Sequence, residues 1–329
     1  MRLSQQVIVN RFGGPDVLTL VDVPVPVPIA GQLLLKVETA GVLYGDVMRR
    51  TDRYLIPTIL PYEPGTEVAG TVIEAGQSVG DFEVGDRVLC RVASKGYAHY
   101  AVVDATRAIH LPDDIEFGAA TALLAQGITA YLLTHQLVPL KGKTVFIEGA
   151  AGGVGTLMVQ LARLFGASLI VGSASSETKR TFARNNGVDC AIDTSSDNWS
   201  QQILDVTKGK GIDVGYDSSG ATVNGLLDCL SEFGTLVKFG RGVNENQVIE
   251  PSRLVEKNLK LVGFYLPAYF SVAHAPVLSA ATDTLIKLAV SGQLKIRVEG
   301  RYPLSEAAAA HRELEGRRSM GKLVIEPWR

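Results

Sequence analysis

The chain has 329 residues, 46% hydrophobic and 20% charged, with a net charge of −2. That length suits about two domains with a sizeable core. The composition excludes a disordered chain, and the near-neutral charge excludes a global pull toward nucleic acid or an anionic membrane.

The first hundred residues predict short strands. "QQVIVN", "LLLKVETAG", "VAGTVIEAG", "DRVLCRV" and "YAHYAVVD" are rich in Val and Ile and are punctuated by Gly, Pro and Asp. "VDVPVPVPIAG" reads as an edge segment interrupted by proline. The opening "MRLSQQVIVN" lacks the apolar core and cleavage site of a signal peptide. From Phe117 the rhythm changes: "FGAATALLAQGITAYLLTHQL" predicts one long helix. Short apolar strands then alternate with helices from "TVFIEGA" to "LKLVGFYL", the pattern of βαβ units on a parallel sheet. After Leu266 the order is helix, strand, helix, strand, ending in "KLVIEPW". A β-rich head, an α/β middle and a returning tail predict an inserted domain, with a cleft between the two as the default ligand site.

Leu261 to Thr282 carries no formal charge and is long enough to span a bilayer. Pro267, His274 and Pro276 argue against that and for a strand, a loop and a helix starting near Pro276. Cys90, Cys190 and Cys229 form neither a CxxC pair nor an even set, which argues against a disulfide framework or zinc knuckle. A reducing compartment, the cytoplasm, follows.

The sharpest signal is "FIEGAAGGVGTLMVQLARLFGA", a strand running into a glycine cluster and then a helix. Either close packing or a phosphate-bearing cofactor calls for such a turn. In a dinucleotide fold one small residue makes the bend, a second admits the pyrophosphate and a third lets helix pack on strand. Those places fall on Ala150, Gly152 and Gly155, with Gly149, Gly153 and Val154 completing an AxGxxG turn. The strand before, the helix after and the second strand "SLIVGSA" supply the context that favours a cofactor. NAD sites place an acid about 20 residues on, for the ribose hydroxyl. Here no acid occurs from Ser168 to Ser176; Ser173, Ser175, Ser176, Lys179 and Arg180 gather instead. Hydroxyls and cations suit a 2′-phosphate, so NADPH is the expected cofactor.

With "GTEVAG", "GDRV", "ALLAQGITAYLL", "EGAAGGVG", "ASSETKR", "YDSSG", "YPLSEAAAAH" and "MGKLVI" in order, the chain resembles the zinc-independent quinone oxidoreductases (zeta-crystallin-like) of the medium-chain dehydrogenase/reductase superfamily. The resemblance implies an α/β protein: a GroES-like catalytic domain over 1–126 and 267–329, and a Rossmann NADPH domain over 127–266, with homodimers common. It puts the 2′-phosphate on Ser175 and Lys179, with Ser173 beside them. It puts the nicotinamide side on Thr129 with the segments around Phe239–Gly240 and Phe264, Tyr265 and Leu266, and Ser218 is among the cofactor-binding candidates. Lys322 in "GRRSMGK" is a further cofactor candidate. Many relatives carry a tyrosine near the adenosine phosphate where this chain has Thr194.

The zinc-ligand positions of related alcohol dehydrogenases fall on Leu43, Thr66 and Ala125, and their proton-relay hydroxyl on Gly45. None of these suits zinc or a relay. Glu67 remains, as a structural residue. Without a Lewis acid the acceptor must delocalise charge itself, as quinones and α,β-unsaturated carbonyls do. Tyr54 and Tyr44 are the candidates to meet the developing oxyanion, or they wall the pocket. Leu43 stands where many quinone reductases have asparagine, which makes the pocket more apolar. Asp46 orders its loop rather than acting as a base; His99, His110 and Cys90 are structural. Two other activities remain open: an enoyl reductase acting on an enoyl thioester or other activated alkene, and an NADPH-binding protein with little turnover. The chain lacks the basic stripe with interleaved aromatics that RNA binding favours.

Overall fold

The computed structural model describes residues 3–240 and 248–329. The chain divides into two units, Met1–Ala125 with Ala289–Arg329, and Gln126–Leu288. The first crossing lies one residue before the expected boundary. The second lies well after Leu266, because the helix that follows the last strand of the second unit groups with that unit.

The first unit opens with a hairpin, β1 (Leu3–Val9) antiparallel to β2 (Leu18–Pro24). β3 (Gln32–Val42) leads into helix α1 (Tyr44–Arg50). Strands β4 (Glu67–Ala75), β5 (Arg87–Arg91), β6 (Tyr100–Asp104) and β7 (Ala108–His110) follow. β3 is the spine: it pairs antiparallel with β4 and also with β6, and β5 joins β4 to β7. Alternate residues Leu33, Leu35 and Val37 of β3 join Val68, Val72, Val88 and Cys90 in the core, as period-two patterning requires.

Phe117–Leu137 is helical but not one regular helix. It winds as α2 (Phe117–Ala122), a π turn (Leu123–Gly127), α3 (Ile128–Tyr131) and a second π turn (Leu132–Leu137). Leu124 leaves helical geometry, with ψ −107°. The irregularity coincides with a captured backbone donor: the Ala125 N–H donates to Glu67 Oε1 at 2.6 Å. A side chain that captures a backbone donor in this way interrupts the helical ladder and kinks it. Among the described residues this is the one helix long and apolar enough to cross a membrane, and 78% of its most apolar window is buried.

The second unit carries β8 (Thr144–Ile147), α4 (Gly153–Leu164), β9 (Leu169–Ser173), α5 (Glu177–Asn185), β10 (Cys190–Ile192), α6 (Trp199–Val206), β11 (Ile212–Asp217), α7 (Val223–Cys229), β12 (Leu230–Phe239), α8 (Ser252–Glu256), β13 (Lys260–Phe264) and α9 (Ala275–Val290). Every strand pairing is parallel, in the order β10-β9-β8-β11-β12-β13. Counted from β8 this is 3-2-1-4-5-6, the Rossmann order, whose reversal beside β8 opens a crevice at the carboxyl ends of the strands. Phe146, Val171, Trp199, Ile203, Leu226 and Leu236 fill one core of this unit. The uncharged Leu261–Thr282 stretch is strand, short 3₁₀ turns and helix, as the prolines predict. The tail returns as β14 (Val298–Pro303), α10 (Ala307–Glu315) and β15 (Lys322–Glu326), with β15 antiparallel to β3.

Candidate active site

The nucleotide turn leaves β8 through Glu148 and bends at Gly149, whose φ of +64° favours glycine. A Cβ at Gly155 would stand 2.2 Å from the Gly149 carbonyl oxygen and 2.9 Å from Ala150 Cα. Only glycine lets α4 start this close to the strand end. Ala150 is fully buried, and its methyl has room because β9 presents Gly172, where a Cβ would lie 2.7 Å from that methyl. The alanine in AxGxxG is thus matched by a glycine next door. Gly152, Gly153 and Val154 stay partly exposed at the start of α4. That end offers backbone N–H groups and the positive end of the helix dipole, and its first turn carries no acid. The Gln126 amide lies over Gly153, with Nε2 2.2 Å from where a Cβ would be.

Beyond β9 the predicted hydroxyl and cation set separates. Ser173 is buried and its hydroxyl accepts the Gly149 N–H at 3.3 Å, so it braces the turn from beneath. Ser176 caps α5 by accepting the Lys179 N–H. Arg180 is engaged within the fold, donating to Asp193 at 2.8 Å, Glu177 at 3.0 Å and the Ala174 carbonyl at 3.1 Å. Ser175 is exposed and Lys179 half-buried at the start of α5.

The remaining nicotinamide-side candidates sit at the same edge of the sheet. Register pairs Ile147 with Tyr216 and Phe239 with Phe264, so the segments after β8, β11, β12 and β13 leave side by side. Ser218 follows β11, Gly240 follows β12 with φ +70°, and Tyr265 and Leu266 follow β13. Phe239 and Phe264 are buried, and Tyr265 is partly exposed. Thr129 is buried on α3, which packs on α4.

One organiser of this edge was not singled out in the sequence. Glu148 is buried and accepts from the Ser218 N–H (2.6 Å), the Ser218 hydroxyl (2.9 Å), the Ser219 N–H (2.9 Å) and the Ser219 hydroxyl. Ser218 is therefore held by Glu148. Asp217 does similar work one residue back, accepting from the Gly220 and Thr222 N–H groups. The available signal was an acid directly before the glycine turn, in "FIEGAAGG".

In the first unit Tyr44 is the first residue of α1 and is 38% exposed. Tyr54 is half-buried and stacks on the Arg49 guanidinium, 4.1 Å from its ring centroid. Asp46 is buried and accepts the Leu43 N–H at 3.1 Å, so it orders the turn that leads into the helix. Burial pushes its carboxyl up to about 6. Lys322 does not present its charge to a ligand. Its ammonium is buried on Glu67 Oε2 at 3.0 Å, both side chains 1% exposed, and the pair sits where a Cβ at Gly41 would otherwise be. Its place in the cofactor set is corrected: it is the counter-ion of the carboxylate that kinks Leu123–Gly127. Among the described residues no three His, Cys, Asp or Glu side chains converge in a metal-binding group. His99 stacks on Trp328 and His110 on Phe82.

The family description "alcohol dehydrogenase GroES-like domain" matches residues 29–113, and "zinc-binding dehydrogenase" matches 153–281. A probable quinone oxidoreductase of Schizosaccharomyces pombe is 37% identical over 320 residues, covering 96% of this chain and 95% of that protein. The chain belongs to the quinone oxidoreductase family of the medium-chain dehydrogenase/reductase superfamily. Within that family's likeness, a 2-haloacrylate reductase of Burkholderia is 33% identical over 331 residues, 97% of this chain and 98% of that one. The Escherichia coli quinone oxidoreductase solved in complex with NADPH superposes with a TM-score of 0.89 at 29% identity, over 98% of this chain and all of that one.

Proposed function

We propose that this quinone oxidoreductase family member is a metal-independent, NADPH-dependent reductase of conjugated acceptors, quinones or α,β-unsaturated carbonyls. The observation that carries the reading is the glycine turn at Gly149–Gly155, partly exposed at the start of α4 and closed to any side chain at Gly155. The residues present fit the dinucleotide. The α4 N-terminus receives the pyrophosphate. Ser175 and Lys179 take the 2′-phosphate, with no acid at the end of β9 to repel it. Ser173 and Glu148 hold the turn and the Ser218 loop from behind. Thr129, Phe239, Gly240, Phe264, Tyr265 and Leu266 wall the nicotinamide.

When bound, the cofactor supplies hydride. The chain supplies orientation and a hydroxyl, from Tyr54 or Tyr44, for the oxygen on which negative charge develops. Leu43, Thr66 and Ala125 cannot supply the soft or basic ligand set of a catalytic zinc. That restricts the acceptor to molecules that stabilise an enolate or phenolate unaided. The relatives named quinone oxidoreductase and 2-haloacrylate reductase support both halves of the acceptor class. The second name gives the activated-alkene reading specific support. A panel of quinones, enones and enoyl thioesters, followed by loss of NADPH absorbance in metal-stripped protein, tests the proposal. Turnover confined to simple alcohols and aldehydes, or restored only by zinc, refutes it.

We further propose a homodimer formed along β13. Among the described residues this strand pairs only with β12, and it leaves Leu261 46% exposed. The three cysteines are free, which suits a reducing cytoplasm.

A further inference from the structure

α1 carries Tyr44 at its first position, and its inner face is tied down by two charged side chains one helical turn apart. Asp46 accepts from the Leu43 N–H (3.1 Å), the Tyr97 hydroxyl (3.3 Å) and the Tyr62 hydroxyl (3.4 Å). Arg50 is fully buried and donates to Glu315 of α10 at 2.5 Å. Tyr97 lies 3.2 Å from Nε2 of His311, also on α10 and also fully buried. One connected set of hydrogen bonds thus runs from the turn at Leu43–Tyr44 through Asp46 and Tyr97 to His311.

The chemistry of this set depends on one proton. An ionised carboxylate accepts at both oxygens, so it can serve Leu43, Tyr62 and Tyr97 together. A protonated carboxyl makes one oxygen a donor, and three donors then compete for less acceptor capacity. Tyr97 can direct its single hydroxyl proton to only one place. With Asp46 ionised, Tyr97 donates to it and accepts from Nε2–H of a neutral His311.

We propose that Asp46 is a positioning residue for the reaction, its carboxylate form holding the Leu43–Tyr44 turn in the productive arrangement without touching substrate. The inference rests on the reading of Tyr44 as a residue that meets the acceptor. It gives the activity an acidic limb governed by a side chain that is 1% exposed. The groups facing Asp46 are Tyr62 and Tyr97 through their hydroxyls, Glu67 of β4 and Lys322 of β15 through charge, and the Leu43 and Gly65 backbones. Burial is the main force raising its carboxyl, to about 6, with the Glu67 charge adding to it. His311 is kept neutral by burial and by the nearby Arg50 charge, down to about 3, and so does not contribute a limb of its own near neutrality.

The test is the Asp46→Asn variant, read in two ways. With saturating NADPH and a quinone acceptor, kcat should fall about tenfold at pH 7.5, the NADPH Kd should stay within twofold, and the acidic limb near pH 6 should vanish. Tyr97→Phe keeps the charge but removes one donor to it, so the limb should remain and move to higher pH. Hydrogen exchange over residues 43–54, corrected for intrinsic rates, should speed up in Asp46→Asn. Wild-type kcat with an unchanged limb, or unchanged exchange over 43–54, overturns the inference. Absence of NADPH oxidation by the wild-type protein with every acceptor would instead refute the functional reading, and the exchange experiment would still judge Asp46.

Discussion

Ala150 is accommodated in the nucleotide turn because Gly172 is its neighbour on β9. A complementary pair of this kind has a testable signature. Gly172→Ala should destabilise the protein by about 1–3 kcal/mol through overpacking. Ala150→Gly in the same chain should recover part of that loss, and a double-mutant cycle in urea reads the coupling directly. Lys179 is the other residue whose role can be isolated. Lys179→Ala should weaken NADPH about tenfold, ~1.4 kcal/mol, and leave NADH unchanged, by fluorescence titration. Asp46 and His311 make opposite demands on stability as pH changes. The folded-state carboxyl of Asp46 lies above its ordinary value, so this group's contribution is lost as pH rises from about 4 through about 6. His311 lies below its ordinary value, so its contribution is lost as pH falls from about 6.5 toward about 3. The two largely offset between pH 4 and 6. Asp46→Asn removes one of them, and should lose about 2 kcal/mol more stability than wild type between pH 6.5 and 4.5, measured by urea unfolding at each pH.

The strands β8 to β13 and the helices α4 to α7 were legible because most are short apolar runs or amphipathic helices, which local pattern decides; the five-residue α8 was too short to show a period. The kink in Phe117–Leu137 was not legible. It depends on Glu67, which is distant in sequence and captures the Ala125 N–H, while the local apolar pattern favours an uninterrupted helix. The same limit explains Lys322 and Ser173. A lysine in a basic run and a serine at a strand end look available, and only the tertiary pairing shows the first enclosed with Glu67 and the second turned under Gly149. The buried pair makes its own prediction. Glu67→Gln leaves the Lys322 ammonium buried without a counter-charge and should cost about 3–5 kcal/mol by urea unfolding. Adding Lys322→Met should recover most of that loss, because the glutamine still accepts from Ala125.

For the whole molecule, the parallel sheet follows from the alternation of elements, while its strand order is a property of the fold; the nucleotide turn falls at the switch point, where that topology places ligands. The division of the chain was less legible at its second crossing. The sequence shows where the last strand ends, but the bulk of α9 groups with the second unit. At this scale the testable claim is assembly. Wild type should sediment as a dimer, and Leu261→Lys, which puts a charge on the open edge of β13, should shift it to monomer. A wild-type monomer at micromolar concentration would rule out that edge as the interface.

Arg180 bears on any effort to reprogramme coenzyme choice. Its guanidinium fastens the start of α5 to Asp193, just past the end of β10, and to the carbonyl that ends the β9 segment. Replacing it to disfavour a phosphorylated ribose would first loosen that corner of the sheet. Selectivity is better altered at Ser175, whose exposed side chain can be exchanged for an acid without unfastening anything beneath it.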